Sequence, residues 1–536
     1  MRLTRLSSLS FFVAFSVLIL CFLSLDRLFK QQTPLLNSIE ISLNEKSRVT
    51  AETWETAPLN KDIIEDISRL RNVGSRLTPK PRRTCGERYV RVTGPVYGGT
   101  SNFLISLVHG IALSEWATAR QLDEDISASE AFSNSPPSAR HYSYTLLLPH
   151  YATSVLFPFD LNLLMSQYCV RILAHDRLID GKRVPWGAKW LWDPLAKLVR
   201  ILKGAEYKLQ KQREDLQALV HEAVLQGRMP LINDPPAVIG DVQVTMSELF
   251  HLGSPEFLHV WKRFTSGILE SPKSFRLSEM NAFMLRKIVP QVAKHYIGVL
   301  SAIWTSPCPL LLRAVSRLLT TELRGNLDYH VVHKRQLDGY CATTLYDVSD
   351  IQIDFPAAYS HLQRTPAAGT KSGKSTGHPV CDMSPSFVTE IIENSNRMSA
   401  KASLNITDKV YSGVHQQIYV SSDAQGDDSD WLAERSRWKA VVGWNAQQRH
   451  GLSMMKNINI GYYIDLLTAS HARGLFVGNP RSTFSFVIAT LRAGLGYPTW
   501  PVPLRHDVYF SKPIAREQQW VGLQDIKDVL MDAQLP

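Results

Sequence analysis

One stretch near the carboxyl end of the chain constrains its fold more than any other. It begins with a short apolar run of β character, Leu475-Phe476-Val477, which Gly478-Asn479-Pro480 interrupts. Ser482 or Thr483 can then cap a helix whose apolar residues recur at helical spacing. A strand, a tight turn and a hydroxyl-rich helix start present backbone N–H groups at the positive end of a helix dipole. The pattern predicts an anion site at a strand end of an α/β sheet or, alternatively, an ordinary β-turn-α unit.

The length and charge of the chain limit its class. A chain of 536 residues predicts two domains with additional segments. With 44% hydrophobic and 20% charged residues, the composition is that of a globular protein rather than a disordered one. The net charge of +10 raises the question of nucleic acid, but the basic residues are scattered and form no aromatic-basic module. We therefore expect a basic groove for an anionic small molecule and no nucleic-acid partner.

The amino-terminal apolar run predicts a membrane anchor. Residues 7–25 carry no charge and approach the ~20 residues that cross a bilayer. The run is longer than the apolar part of a cleaved signal peptide, and no small-residue cleavage site follows it. The alternative is a buried apolar helix. We expect a cytoplasmic tail at residues 1–6, an uncleaved signal anchor at 7–25 and a single-pass type II protein whose main part is lumenal.

The next segments predict a stem followed by a first α/β domain. Residues 26–84 are polar and contain several prolines, which suits a stem. Residues 88–93 alternate as a half-buried strand does, and a glycine-bearing loop at 94–102 leads into an apolar helix over 103–119. Residues 144–148 then form a fully apolar strand. These elements predict a βαβ unit, and a helical pattern follows from about 195 to 300.

A second α/β region begins near residue 325. Strands are predicted at 328–333, 416–423 and 438–442, and helices at 386–395 and 460–471. The strand-turn-helix stretch described first completes the set. We expect two βα domains in tandem, at 85–324 and 325–510, with a ligand cleft between them and an extension at 511–536.

The cysteines favour disulfides over a metal site. Cys21 lies in the predicted span, and the other five cysteines are widely spaced with no CxxC pair, which argues against zinc. In an oxidising lumen two disulfides and one free thiol can form, in a pairing that the spacing leaves open. One N-glycosylation sequon is present, Asn405-Ile406-Thr407.

Four stretches, in order, resemble the GDP-fucose O-fucosyltransferases, a family of GT-B glycosyltransferases. Gly98-Gly99-x-x-Asn102 with Leu146-Leu147-Leu148-Pro149 resembles the family's Gly-Gly-x-x-Asn start and apolar strand. Phe159-Asp160 is similar to the segment that follows it. His333-Lys334-Arg335 resembles the His-x-Arg signature, and Ser482-Thr483-Phe484-Ser485 the late Ser/Thr-Phe motif. Ser421-Ser422-Asp423 and Asp465 fall where the family has a Ser/Thr-Asp strand end and an acid; the likeness spans roughly residues 86–500.

The resemblance implies a fold and an activity. The fold is GT-B, with two Rossmann-like domains facing a cleft. The activity is transfer of fucose from GDP-fucose to a hydroxyl of a glycan or glycoprotein acceptor, inverting and without a metal or other cofactor, in the Golgi or ER. The chain departs from the family in having one arginine, Arg335, beside Lys334 where two arginines are usual. It also has no acidic residue in the 94–102 loop, so no general base is assigned.

The same resemblance assigns site residues. A guanidinium on the leaving β-phosphate stabilises charge as it develops, which makes Arg335 the first catalytic candidate. Its alternative is a structural ion pair with Asp338. His333 is the second catalytic candidate, and its alternative is a hydrogen-bonded structural histidine. The donor-binding candidates are Gly98, Gly99, Asn102, Asp338, Asp465, Ser482, Thr483, Phe484 and Ser485.

Other interpretations remain open at this point. Asp465 either accepts hydrogen bonds from the base or ribose or is a helix-surface acid. The acidic run Asp427-Asp428-Ser429-Asp430 resembles a metal motif, but its Gly/Ser surroundings indicate a solvated turn. Two further functions compete with the fucosyltransferase. One is a catalytically inactive relative that binds carbohydrate or acts as a scaffold; the other is a transferase that uses a different nucleotide sugar.

Overall fold

The computed structural model of the protein describes sixteen segments of the chain. They are residues 58–77, 85–86, 88–92, 100–131, 144–174, 178–179, 182–183, 217–233, 241–245, 274–278, 290–334, 383–403, 417–422, 439–442, 460–479 and 482–500.

Nine helices are named within these segments. They are α1 Lys61–Leu77, α2 Thr100–Ala131, α3 Thr153–Leu156, α4 Asn162–Tyr168, α5 Pro290–Trp304, α6 Pro309–Glu322, α7 Pro385–Ser403, α8 Ile460–His471 and α9 Thr483–Leu495. The strands are β1 Arg88–Val92, β2 Tyr144–Leu148, β3 Val170–Leu173, β4 Leu178–Ile179, β5 Lys182–Arg183, β6 Leu231–Ile232, β7 Asp241–Thr245, β8 Ser274–Ser278, β9 His330–Lys334, β10 Gln417–Ser422, β11 Lys439–Val442, β12 Phe476–Val477 and β13 Thr499–Trp500.

The first sheet has six strands in the order β6-β3-β2-β1-β8-β7, and every pair in it is parallel. The predicted βαβ unit is confirmed, because β1 pairs with β2 and α2 connects them. All five residues of β2 are buried, as its unbroken apolar sequence predicts. Helix α2 packs against both strands and so covers the sheet at this point.

The helical prediction for residues 195–300 is wrong at three places. Residues 231–232 form β6, which pairs with β3. Residues 241–245 and 274–278 form β7 and β8, which pair with each other and extend the first sheet beyond β1. Asp241-Val-Gln-Val-Thr245 alternates polar and apolar residues, which suits a strand. An alternation over five residues is hard to recognise within a longer sequence that has helical spacing. Pairing with strands remote in sequence determines that these residues form strands.

The second sheet has five parallel strands in the order β11-β10-β9-β12-β13. The predictions for β9, β10 and β11 are confirmed to within two residues, and α8 has the predicted bounds. The chain is thus a mixed α/β protein with two parallel sheets, consistent with two Rossmann-like domains. The strands of the first sheet lie between residues 88 and 278 and those of the second between 330 and 500.

Five helices join the two sheets through one continuous apolar core. Helix α5 packs against α1, α2 and α9, and α9 packs against α1, α2 and α8. Gly494 permits a close approach in this layer, since a Cβ added there would lie 2.9 Å from the Leu70 side chain. The helices that follow β1 and β12 are therefore in direct contact, which fixes the relation between the strand ends from which they start.

Helix α1 corrects the prediction of a stem over residues 26–84. Within that range, residues 61–77 form an amphipathic helix whose Ile63, Ile67 and Leu70 are buried in the common core. The spacing of these three residues is helical, but only the packing against α5 and α9 makes them part of the domain. Any soluble fragment that begins after α1 loses part of the core.

Asp66 fastens α1 to the second domain. Its carboxylate is 1% exposed and accepts hydrogen bonds from the Tyr497 hydroxyl at 2.7 and 2.9 Å. The Nδ1 atom of His471 lies 3.2 Å away and the Arg69 guanidinium 3.3 Å away. Burial by itself raises the pKa of Asp66, but the hydrogen bonds and charges of His471, Tyr497 and Arg69 outweigh it, so the pKa lies below its ordinary value.

Replacing Asp66 with asparagine is expected to lower the free energy of unfolding at pH 7 by about 1–3 kcal/mol, because buried partners lose a charged acceptor. A depressed pKa in the folded state means that the stabilisation is complete above the pKa of the unfolded state and is lost as pH falls through the folded value. Melting temperatures measured from pH 7 to pH 3 should therefore differ by a constant amount above about pH 5 and converge below about pH 4. Asp62→Asn, at a half-exposed carboxylate that pairs with Arg473, is the matched control with a small effect at every pH. A gap between wild type and Asp66→Asn that widens towards acid would contradict the assignment.

A disulfide joins Cys85, just before β1, to Cys169, just before β3, with a Cα–Cα separation of 5.5 Å. Cys308 is a buried free thiol at the start of α6. One of the two predicted disulfides is therefore present in the part of the chain that the structure describes. Cys21, Cys341 and Cys381 lie outside it.

Among the described residues, no helix combines the length and the apolar character that crossing a membrane requires. The predicted anchor at residues 7–25 lies outside them.

Candidate active site

The order of the second sheet places its ligand-binding edge between β9 and β12. The chain runs from β9 to β10 and β11 in one direction and then returns to β12 on the other side of β9. Such a reversal opens a crevice at the carboxyl ends of the two strands, which is where ligands bind in parallel sheets. His333 and Lys334 end β9, and Gly478 follows β12. The end of β9 and the start of α9 thus meet at one crevice.

The first sheet reverses in the same way beside β1. The chain runs from β1 through β2 and β3 to β6, and β8 and β7 lie on the other side of β1. Helix α2 begins at Thr100, after the loop that leaves the carboxyl end of β1. Gly98 and Gly99 of that loop lie outside the described residues. Asn102 lies in the first turn of α2, so its backbone is at the predicted edge.

His333 and Ser485 form a buried hydrogen bond at the second crevice. The Nδ1 atom of His333 lies 2.7 Å from the Ser485 hydroxyl oxygen, and the two residues are 3% and 0% exposed. The Phe484 ring covers the imidazole, with ring centroids 4.7 Å apart. A strand-end histidine and the third residue of a helix are therefore brought together over 152 positions of sequence. The sequence motifs name both residues but give no sign that they bond to each other.

Helix α9 starts where the sequence predicts, but the predicted side-chain cap is not formed. Ser482 occupies the N-cap position with extended backbone angles, φ −95° and ψ 122°, but its side chain makes no capping hydrogen bond. Thr483 is the first helical residue and is partly exposed. The 13-residue helix directs its first-turn N–H groups towards the crevice, where its dipole favours an anion.

Asp465 is an interior residue, and the alternative of a helix-surface acid is wrong. It is 0% exposed and accepts a hydrogen bond of 2.5 Å from the Tyr419 hydroxyl. Its other oxygen lies 3.4 Å from the Ser421 hydroxyl, and Ser421 pairs in register with His333. The carboxylate therefore ties α8 to the end of β10, one strand away from His333.

Tyr462 links the two crevices, and the sequence reasoning did not find it. Its hydroxyl lies 2.7 Å from the hydroxyl of Ser101 in the first turn of α2. Its ring meets the edge of Phe484, with centroids 5.0 Å apart. Contacts therefore run without a break from α2 of the first domain to His333 of the second.

Arg492 is the second residue that the sequence reasoning missed. It is fully buried in α9 and donates hydrogen bonds to the backbone carbonyls of Ala469, Ala472, Gly474 and Pro498. These carbonyls belong to the end of α8 and the approaches to β12 and β13. The sequence feature that could have revealed it is a single charged residue in an otherwise uncharged apolar helix, between Leu491 and Leu495. Arg492 thereby ties the end of α8 to the starts of β12 and β13, at the edge of the sheet opposite the crevice.

Arg335 and Asp338, like Gly98 and Gly99, lie outside the described residues; in sequence, Arg335 directly follows the last residue of β9. Within the described part of the chain, no group of three or more His, Cys, Asp or Glu side chains is arranged to hold a metal ion. The prediction of a metal-independent reaction stays a prediction.

Comparison with known proteins adds no family to this geometry. No family model matches the chain, and no curated protein matches it.

Proposed function

We propose that the protein is a glycosyltransferase that transfers fucose from GDP-fucose to a hydroxyl of a glycan or glycoprotein, with inversion and without a metal. The observation that carries the proposal is the meeting of two parallel-sheet crevices through Ser101, Tyr462, Phe484 and His333. Two facing crevices suit a reaction with two substrates, a nucleotide donor in the second domain and an acceptor against the first. The sequence resemblance supplies the identity of the sugar and of the nucleotide.

The donor's diphosphate would lie at the start of α9. Backbone N–H groups of the first turn, with the hydroxyls of Ser482 and Thr483, offer hydrogen-bond donors at the positive end of a helix dipole. Ser485, whose hydroxyl is hydrogen-bonded to His333, would orient that imidazole beside the phosphate contact that the resemblance implies for it. Arg335, which follows β9 in sequence, would add the positive charge that the helix start alone lacks.

The chemistry needs a good leaving group and a positioned hydroxyl. The acceptor oxygen forms a bond to C1 of the sugar while the bond from C1 to the β-phosphate oxygen breaks, and GDP departs with the electron pair. The acceptor's proton passes to a base or to water. Because negative charge grows on the β-phosphate, fixed donors there stabilise the transition state more than the bound substrate. This is the role proposed for Arg335, with His333 as a second donor.

Asp465 would shape the nucleotide side of the crevice. Its carboxylate fixes Tyr419 and Ser421 at the end of β10, next to His333 in register. The base or ribose of the donor would lie against this strand end, and Asp465 would act chiefly by holding it in place. The Cys85–Cys169 disulfide supports the proposed lumenal location, because such bonds persist in oxidising compartments.

The inactive relative is the alternative that a specific observation favours. The chain has Lys334 and Arg335 where the family has two arginines, and the 94–102 loop has no acid. A protein of this kind would bind GDP-fucose but would not cleave it.

A panel of nucleotide sugars tests the proposal. The full-length chain is used so that α1 remains in place, and it is kept in detergent because of its predicted anchor. It is incubated with GDP-fucose, GDP-mannose, UDP-glucose and UDP-N-acetylglucosamine, and the released nucleotide is measured. We expect slow release of GDP from GDP-fucose above the spontaneous rate and none from the UDP sugars. Release of UDP alone would show a different donor, and binding of GDP-fucose without release would favour the inactive relative.

A further inference from the structure

A hydrogen bond between the domains forms part of the link between the two crevices. Ser101 lies in the first turn of α2 and is 5% exposed, and its hydroxyl oxygen lies 2.7 Å from that of Tyr462 in the first turn of α8. Burial raises the pKa of the Tyr462 hydroxyl, and the bond from Ser101 only partly offsets this. The tyrosine therefore stays protonated at neutral pH, and the link is a neutral hydrogen bond.

The Tyr462 ring is held from two sides. On one side the adjacent Tyr463 stands perpendicular to it, with centroids 5.1 Å apart. Tyr463 is itself held against the first domain, because its hydroxyl donates to the Val155 carbonyl and also hydrogen-bonds Thr100. Its ring meets Phe159 and Trp304. On the other side the Tyr462 ring meets Phe484, which covers His333. A movement of the Tyr462 ring would therefore displace Phe484 and, through it, the His333 imidazole.

We propose that Tyr462 is a positioning residue, whose hydrogen bond to Ser101 sets Phe484 against His333 and so fixes the donor-phosphate site to the first domain. This rests on the proposed function, because it assumes that GDP binds at the crevice of the second sheet. Tyr462 acts through Phe484 and His333 and does not itself touch the donor. The first domain, through Ser101, thereby contributes to nucleotide affinity.

A second tyrosine provides a matched control variant. Tyr462→Phe and Tyr329→Phe each remove one hydroxyl, but only the Tyr462 hydroxyl bonds to the first domain, whereas that of Tyr329 donates to the Thr468 carbonyl within the second. In the full-length chain, calorimetry with GDP as the probe is expected to give a Kd about 3–10-fold weaker for Tyr462→Phe, the effect of one lost neutral hydrogen bond. Tyr329→Phe should lower the melting temperature yet leave the Kd within about twofold, since its partner is the Thr468 carbonyl of the same domain.

A double-mutant cycle gives the readout that a purely structural role would not move. Ser101→Ala should weaken GDP binding as much as Tyr462→Phe, and the double variant should bind no more weakly than either single variant. Equal GDP affinities in Tyr462→Phe and wild type, or losses that add in the double variant, would overturn this inference alone. A folded wild-type chain that binds no GDP would overturn the proposed function and this inference with it.

Discussion

Replacing Arg492 with methionine is expected to lower the free energy of unfolding by about 3–5 kcal/mol, the largest stability effect that we predict. The guanidinium donates to four backbone carbonyls at 2.5–3.0 Å, and all four lie where α8, β12 and β13 meet. Methionine preserves most of the apolar volume but leaves these acceptors without a donor. A buried carbonyl without a hydrogen-bond donor has lost its hydration and has nothing to offset that desolvation free energy.

The measurement is urea and thermal unfolding of the full-length chain, compared with two controls. Arg492→Lys keeps the charge but not the planar fork, so it should recover only part of the loss. Arg473→Met removes a partly exposed arginine that pairs with Asp62, and it should cost less than about 1 kcal/mol. If Arg492→Met unfolds at the same urea concentration as Arg473→Met, the carbonyl contacts do not stabilise the junction of α8, β12 and β13.

Replacing Arg335 with alanine is expected to slow the cleavage of GDP-fucose by about 10²–10³-fold, the largest effect on activity that we predict. In sequence the residue directly follows β9, the strand whose His333 bonds to Ser485 in the first turn of α9. A fixed guanidinium stabilises charge that appears on the leaving phosphate only as the bond breaks, so the loss should appear mainly in kcat.

Two comparisons separate catalysis from structure at this position. Arg335→Lys retains a positive charge but not bidentate geometry, and its rate should lie between those of wild type and Arg335→Ala. Arg324→Ala, at an exposed arginine in the loop after α6, should leave the rate unchanged. The structural alternative, an ion pair with Asp338, predicts the reverse pattern for Arg335→Ala: a lower melting temperature with nearly normal cleavage by the folded enzyme.

The sequence predicted those parts of the fold that depend on local pattern. The unbroken apolar run Tyr144–Leu148 and the helix Ile460–His471 have the predicted bounds, because burial on both faces or helical spacing is visible within the segment. Helix α1 was missed although its pattern is amphipathic, since its burial depends on α5 and α9, more than 200 residues away. Asp66 is a case in point: its partner His471 lies 405 positions along the chain.

The candidate site shows the same division. The motifs named His333 and Ser485, but their mutual hydrogen bond needs the sheet order that brings β12 back beside β9. Tyr462 carries no motif, and its role arises only because α2 and α8 begin at facing crevices. Asp465 offered two interpretations in sequence, and its burial beneath β10 removed one of them. Local chemistry suggested which residues to consider, whereas long-range packing determines what each of them contacts.

The central claim is that GDP binds at the crevice between β9 and β12. Calorimetric titration of GDP and GDP-fucose into the full-length chain, with EDTA present and beside Arg335→Ala, tests it most directly. We predict micromolar binding of GDP by the wild-type chain without metal, and binding at least about tenfold weaker in the variant, as expected for a lost charge-assisted contact. A wild-type chain that unfolds cooperatively but takes up neither ligand would contradict the claim.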